Sequence, residues 1–141
     1  MHAVLFLIFI GMPLLVHAAD NPDAILGEWI VGTKKAKITI VKENGKYVGR
    51  ITWLREPNDE SGKPKMDTKN PDIAKQSRPI LGMLILWDFE FDDDEWVSGR
   101  IYAADDGKEY KCKMWMEGKE LKVRGYVGIS LLGRTDTWTR P

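Results

Sequence analysis

The sequence predicts an all-β fold: an eight-stranded antiparallel up-and-down barrel carrying one long loop. Three observations lead there. Short runs of alternating apolar and polar residues recur along the chain, tight-turn chemistry separates most of them, and no long stretch carries the period of a helix. Antiparallel strands joined by consecutive hairpins close most naturally on themselves, because closure removes both sheet edges.

Residues 26–32 form the first run, with Gly27, Trp29 and Val31 on one face. Residues 35–42 follow, with Ala36, Ile38 and Ile40 alternating against Lys35, Lys37 and Thr39. Glu43-Asn44-Gly45 supplies the φ > 0 positions of a tight hairpin. Residues 46–54 return, placing Tyr47, Gly49, Ile51 and Trp53 on one face and Arg50 and Thr52 on the other. Residues 55–79 break the rhythm, with Pro57, Pro64, Pro71, Pro79 and Gly62 among many charges. A patternless stretch of about 25 residues is long for a compact domain and is usually functional or mobile. Within it, Asn70-Pro71-Asp72 initiates a turn, and residues 72–77 have room for one or two helical turns capped by Asp72. The strand pattern resumes at 80–91, apolar on both faces through Trp87. Asp92-Asp93-Asp94 turns it into 95–103, and Asp105-Asp106-Gly107 makes the next hairpin. Residues 109–116 follow, then the Glu117-Gly118-Lys119 turn, then 120–127 and finally 132–140. Residues able to face the interior include Trp29, Ile38, Ile40, Ile51, Trp53, Val97, Ile101, Met114, Leu121 and Val123. That bulk either fills the barrel or lines a cavity for one small ligand; eight strands allow both.

Residues 1–19 are expected to be a cleaved secretory signal. Residues 3–16 are almost unbroken in apolar character yet shorter than the roughly 20 residues a spanning helix needs. Val16-His17-Ala18-Ala19 then offers small residues for cleavage, although Met1-His2 carries no Lys or Arg. No cysteine lies near that point, which argues against a lipoprotein anchor. The expectation is a periplasmic or secreted protein with residues 20–141 as one domain and no membrane span in the mature chain.

Charge is balanced, with 21 basic and 21 acidic residues, so no nucleic-acid footprint appears. Both histidines, His2 and His17, lie in the leader. The remainder has no imidazole, which rules out Ser-His-Asp and Cys-His catalysis and any His-based zinc site there. Cys112 is the single cysteine and cannot form an internal disulfide. It shares a strand face with Tyr110, Met114 and Met116, which reads as a small buried hydrophobe, with a reactive or dimer-forming thiol as the alternative.

Carboxylate pairs remain for catalysis. Asp88, Glu90 and the 92–95 run offer an acid and a base in principle, but 92–95 reads first as a solvated hairpin tip. Its oxygen-rich spacing lacks any EF-hand pattern for calcium. In the long loop, Asp67 and Arg78 either pair and pin the loop to the barrel rim, or the loop covers one mouth and presents Asn70 and Arg78 to a polar head group. In the last run Arg134, Asp136, Trp138 and Arg140 share a face, and Arg124 and Tyr126 face together on the run before it. These groups form either a barrel-closing stack or a site in which Arg124 or Arg134 points inward to a carboxylate or phosphate. An unpaired inward arginine is costly, so it would mark a ligand.

Gly27-Glu28-Trp29 near the start and Trp138-Thr139-Arg140 at the end resemble the way lipocalin-like barrels tie the first strand to the last. A guanidinium stacked on an indole face contributes roughly 0.5–2 kcal/mol. More widely, Asp67-Thr68-Lys69-Asn70-Pro71-Asp72, Arg78-Pro79-Ile80-Leu81-Gly82, Gly99-Arg100-Ile101-Tyr102, Val123-Arg124-Gly125-Tyr126-Val127-Gly128 and Gly133-Arg134-Thr135 with Trp138 closely resemble the bacterial exported family called domain of unknown function 2147. The resemblance covers essentially the whole chain after the leader. It implies a small lipocalin-like or calycin-like barrel in the periplasm or outside the cell, and no particular activity. Ala103-Ala104-Asp105 departs from the acidic or Asn-Pro turn that the family carries there, leaving that hairpin less rigid.

The resulting expectation is an exported, non-catalytic barrel, with neither cofactor nor metal, that binds a small apolar or amphipathic molecule. Candidate ligand contacts are Trp53, Asn70, Arg78, Tyr102, Arg124, Tyr126 and Arg134; Gly27, Trp29, Trp138 and Arg140 are assigned to closure. The alternative is an envelope protein–protein module with a filled, inhibitor-like barrel, using residues 55–79 and the hairpin tips. A carboxylate-only hydrolase stands behind both. If the closure residues seal one end, a ligand meets the other, where residues 55–79 lie.

Overall fold

The computed structural model describes residues 10–11 and 21–141, so the expected leader falls almost wholly outside the described residues. The sheet comprises β1 (Gly27–Ile30), β2 (Ala36–Glu43), β3 (Lys46–Leu54), β4 (Leu84–Asp92), β5 (Glu95–Ala103), β6 (Lys108–Glu117), β7 (Glu120–Tyr126) and β8 (Arg134–Trp138). Each strand pairs antiparallel with the next in sequence order, giving one eight-stranded up-and-down sheet. The turn chemistry places the strand ends: Asn44, Asp93 and Asp94 adopt positive φ at hairpin tips, as do Gly45, Gly107 and Gly118.

The seam between first and last strands is narrow. Ile30 and Thr139 exchange backbone hydrogen bonds of 2.8 and 3.0 Å across it, as an isolated antiparallel bridge. Arg140 extends the seam: its guanidinium donates to the carbonyls of Glu28 (3.0 Å), Ala24 (3.1 Å) and Leu26 (3.0 Å). The same group lies 3.8 Å from the centroid of the Trp29 ring. Burial there pulls its pKa below the usual arginine range. Gly27 is required beside it, at φ 105° and with space for a Cβ only 3.1 Å from Arg140 Nη1. On the other side of the bridge, the Asp136 carboxylate accepts from Gly32 N at 3.3 Å and from Trp138 Nε1 at 2.8 Å.

This end of the barrel is plugged. Residues 21–26 fold under it and bury Ile25 completely. The indole N–H of Trp29 donates to Ile25 O (2.9 Å), that of Trp96 to Pro22 O (2.9 Å), and the Tyr47 hydroxyl to Asp23 Oδ1 (2.8 Å). Each aromatic thereby buries its apolar body with its polar atom satisfied. Ile38, Ile40, Phe89, Met114, Leu121 and Trp138 fill the space above the plug. Cys112 belongs to this core, with no exposed surface and its thiol pushed up to about 12 by burial, as expected of a small hydrophobe.

Bulges correct two of the interior assignments. Ile38 pairs with Ile51 but Lys37 pairs with Trp53, so one extra residue sits in β3 and strict alternation fails there. Trp53 is thereby turned outward, 37% exposed, with the Lys37 ammonium 5.2 Å from its ring centroid, and Leu54 takes the inward position. In β5, Trp96 pairs with Met114 and Gly99 with Cys112, leaving an extra residue next to Ser98, whose φ is 60°. Trp96 therefore faces the core and Val97 does not. The Phe89 ring covers Gly99 so closely that a Cβ there would lie 2.3 Å from it.

Removing the seam's extra stitch has a measurable consequence. Arg140→Ala leaves the carbonyls of residues 24, 26 and 28 without their charged donor and is expected to lower unfolding free energy by about 2 kcal/mol in urea titrations. Arg140→Lys is expected to recover less than half of that, because an ammonium cannot fork among divergent carbonyls while stacked on an indole. An unchanged midpoint for Arg140→Ala would show that the backbone bridge and the Gly32–Asp136 hydrogen bond hold the seam without it.

Candidate functional site

The end opposite the plug carries the 31–35 turn, residues 55–83, the 104–107 turn and residues 127–133. Residues 55–83 are more ordered than their sequence suggests. Asn58 and Pro64 form one isolated bridge, Met66 and Pro79 another, and Ile80 N donates to Lys65 O at 3.0 Å. Asp72 caps a single 3-10 turn, Ile73–Lys75, by accepting from Ala74 N at 3.0 Å, as its position after Asn70-Pro71 foretold.

One carboxylate organises the segment. Asp67 is 1% exposed and accepts from the Tyr102 hydroxyl at 2.6 Å and from Asn70 Nδ2 at 2.8 Å. Arg78 lies 3.6 Å from its second oxygen; that pair closes the segment on itself, and the Tyr102 hydroxyl on β5 is what ties Asp67 to the barrel. Asn70 is itself held, with its Oδ1 accepting from Asp72 N (2.9 Å) and its backbone carbonyl accepting from Gln76 Nε2 (2.9 Å). Burial first, then the Asp67 hydrogen bond and charge, pushes the Tyr102 hydroxyl up to about 12. A second anchor joins the segment to the β5–β6 turn: Lys69 Nζ donates to Asp105 O at 2.7 Å. There, Gly107 at φ 71° lies so close to Lys69 O that no Cβ fits.

Two hollows flank this anchor, with Tyr102 in the wall between them. The inner one, about 710 Å³, opens from the barrel and has an apolar floor of Ile38, Ile51, Leu54, Ile80 and Ile85. Its rim carries Lys35, Lys65 and Lys69 with Glu56, Asp59 and Asp105, and Lys65 pairs with Glu56 at 3.8 Å. Its volume falls within the range of small-molecule pockets. The outer hollow, about 840 Å³, is a groove between residues 70–83 and the outward faces of β3 to β5, lined by Arg50, Lys75, Arg78, Leu84 and Trp87 among others.

The residues singled out from sequence separate accordingly. Asn70, Arg78 and Tyr102 come together around Asp67, and all border the outer groove, with Tyr102 also touching the inner cavity. Trp53 lies on the outer surface, for the reason given by its bulge. Arg124 does not point inward. It is on the outward face of β7, donating to Ser130 O (2.7 Å), Thr135 Oγ1 (2.7 Å) and Leu131 O (3.4 Å). Tyr126, directly opposite Lys111 on β6, shares that outward face. Arg134 pairs in register with Gly125 and is exposed at the rim, apart from both hollows. The inner cavity's own residues, Leu54, Ile80 and Ile85 with the rim lysines, escaped sequence reading. Leu54 stood out of phase until the bulge was known, and the rim lysines are indistinguishable in sequence from solvated ones.

Comparison with known proteins supports this architecture. The model of a family described as "Uncharacterized protein conserved in bacteria (DUF2147)" matches residues 27–140. No curated protein matches the chain. A solved structure, protein HP1028 from Helicobacter pylori, described as belonging to the lipocalin family, superposes with a TM-score of 0.73 at 22% identity, over 83% of this chain and 82% of that one. At that identity the likeness shows the fold, an eight-stranded lipocalin-like barrel.

The Tyr102–Asp67 bond sets an alkaline limit on the anchored segment. Because the tyrosine's pKa rises from 10.0 to about 12 on folding, its contribution is complete below pH 10 and is lost as pH climbs towards 12. Hydrogen exchange of residues 65–80 is expected to accelerate across that window. Tyr102→Phe should show faster exchange already at neutral pH, at a cost of about 1–2 kcal/mol in stability, with a flatter alkaline response. Equal exchange in both proteins at neutral pH would remove Asp67 from its organising role.

Proposed function

This chain belongs to the DUF2147 family, and from that premise we propose that it is an exported, non-catalytic barrel holding one small apolar or amphipathic molecule in the inner cavity. The observation that carries the reading is the contrast between the two ends. One is plugged by Ile25, Trp29 and Trp96, while the other opens onto an apolar floor beneath a charged rim. An acyl or aromatic portion lies against Ile38, Ile51, Leu54 and Ile85, and a polar head meets Lys35, Lys65 and Lys69. Residues 55–79 act as the lid, closed through Asp67 and opened by release of its partners. The apolar leader with its small-residue cleavage point supports export to the periplasm or beyond. No step in this reading calls for a cofactor. The outer groove is what favours the alternative, a module that docks an envelope protein along residues 70–83.

Native mass spectrometry of the protein taken from cell envelopes is expected to show a small molecule bound one to one. Titration with a fluorescent fatty acid is expected to saturate at the same stoichiometry. Ala36→Trp, which fills the cavity wall, should weaken that binding about tenfold or more, equivalent to about 1.4 kcal/mol. Trp87→Ala, in the outer groove, should leave it unchanged. The opposite ranking of the two variants would move the site to the groove and favour the docking module.

A further inference from the structure

Four large apolar side chains stand in solvent on the β7–β8 connection: Val127 is 69% exposed, Ile129 59%, Leu131 83% and Leu132 77%. They lie on a short projecting segment at the open end of the barrel, not in a groove. Exposed clusters of this kind mark interaction surfaces, whereas single exposed apolar residues need no explanation.

The segment's polar backbone is largely cared for from within. Leu132 N donates to Ile129 O (3.1 Å) and Gly133 N to Ser130 O (3.2 Å), and Arg124 covers the carbonyls of Ser130 and Leu131. Internal satisfaction of that kind is what entry into a low-dielectric medium requires.

The charged side chains that flank the segment along the chain are basic. From Leu121 to Thr135 there is no Asp or Glu; Arg124 and Arg134 flank the segment, while Lys122, at the far end of β7, is paired with Glu117 and Glu120. Across the outward face, Trp87, Arg100, Lys111 and Tyr126 stand in register on four neighbouring strands and end beside Val127. Of the carboxylates along the rim, Asp136 accepts from Trp138 and Gly32 and Asp106 from the Tyr110 hydroxyl, while Glu109 stands two residues before Lys111 on β6 and shares its face.

We propose that residues 127–132 insert into an anionic lipid surface, with Arg100, Lys111, Arg124 and Arg134 meeting the headgroups. The apolar tip supplies the inserted part, the guanidinium of Arg124 keeps its carbonyls paired at the interface, and the cationic surround selects negative charge. Docking in this way turns the mouth of the inner cavity towards the bilayer. The insertion itself does not depend on whether that cavity holds a molecule.

The test places an environment-sensitive nitrobenzoxadiazole label on Leu131→Cys in the full chain. Cys112 is fully buried and its thiol pKa is near 12, so it does not compete for the label. A matching label on Lys119→Cys reports the plugged end. With vesicles of phosphatidylethanolamine and phosphatidylglycerol, the label at 131 is expected to shift to the blue and to be quenched by brominated acyl chains. The label at 119 should do neither. Phosphatidylcholine vesicles should give no shift, and Arg100→Gln or Lys111→Gln should each weaken vesicle binding about fivefold. Leu131→Asp with Leu132→Asp, checked for native near-ultraviolet circular dichroism, should abolish the component of vesicle binding that depends on anionic lipid. The proposal is overturned by an unshifted label at 131, by equal shifts at 131 and 119, or by equal response to both vesicle types. It is equally overturned by a concentration-dependent dimer that shields position 131 without lipid, which would assign the surface to a second copy.

Discussion

Closing an eight-stranded sheet demands that its first and last strands meet, and here they meet through one backbone bridge, one guanidinium and the Asp136 carboxylate on Gly32 N. Arg140 donates to three carbonyls that the short β1 leaves without sheet partners, and its planar charge lies on the Trp29 ring. A lysine offers neither the fork nor the plane. The same contact fixes residues 24–28, and with them Ile25, which is wholly buried beneath the core. Seam and plug are therefore one construction. Because that end is filled, any molecule that enters the barrel must do so from the far side.

The far side is built on a different principle. Where the plug relies on packed aromatics with satisfied indoles, the rim relies on a single buried carboxylate, Asp67, served by a hydroxyl, an amide and a guanidinium. A buried charge of this kind is tolerable only while its donors are in place, so loss of one partner is felt by the others. Within residues 55–79 only Asp67 and Asn70 are buried, so that stretch is held by polar contacts rather than by apolar burial, and segments of that type open more readily than the core beneath them. A firmly plugged base and a polar-latched mouth are the two features on which the proposed binding role rests. The exposed apolar connection at 127–132 lies at the same end.

How much of this was legible beforehand follows from which signals are local. Alternation and turn residues located all eight strands to within a few residues, because side-chain period and φ > 0 at Asn-Gly or Asp-Gly positions are properties of short segments. The pairing of Gly27-Glu28-Trp29 with Arg140 was legible because both motifs are short. So was the Asp67–Arg78 contact, as two opposite charges in a segment with little else to bury. Trp53 and Val97 were misplaced for one shared reason: a bulge inserts a residue and reverses the faces beyond it, and nothing local to Thr52 or Ser98 announces it. Arg124 was ambiguous because an arginine among aromatics is equally a head-group ligand or a clasp for a neighbouring turn.

The sequence by itself determined the meander, the hairpins, the closing motifs and the exclusion of imidazole chemistry after the leader, since each depends on residue type and near-neighbour spacing. Only the tertiary structure decided which end is sealed, where the cavity lies, and which polar residues share Asp67. Those outcomes depend on register across strands far apart in the chain, and a single-residue bulge is enough to turn a side chain from the cavity to the solvent.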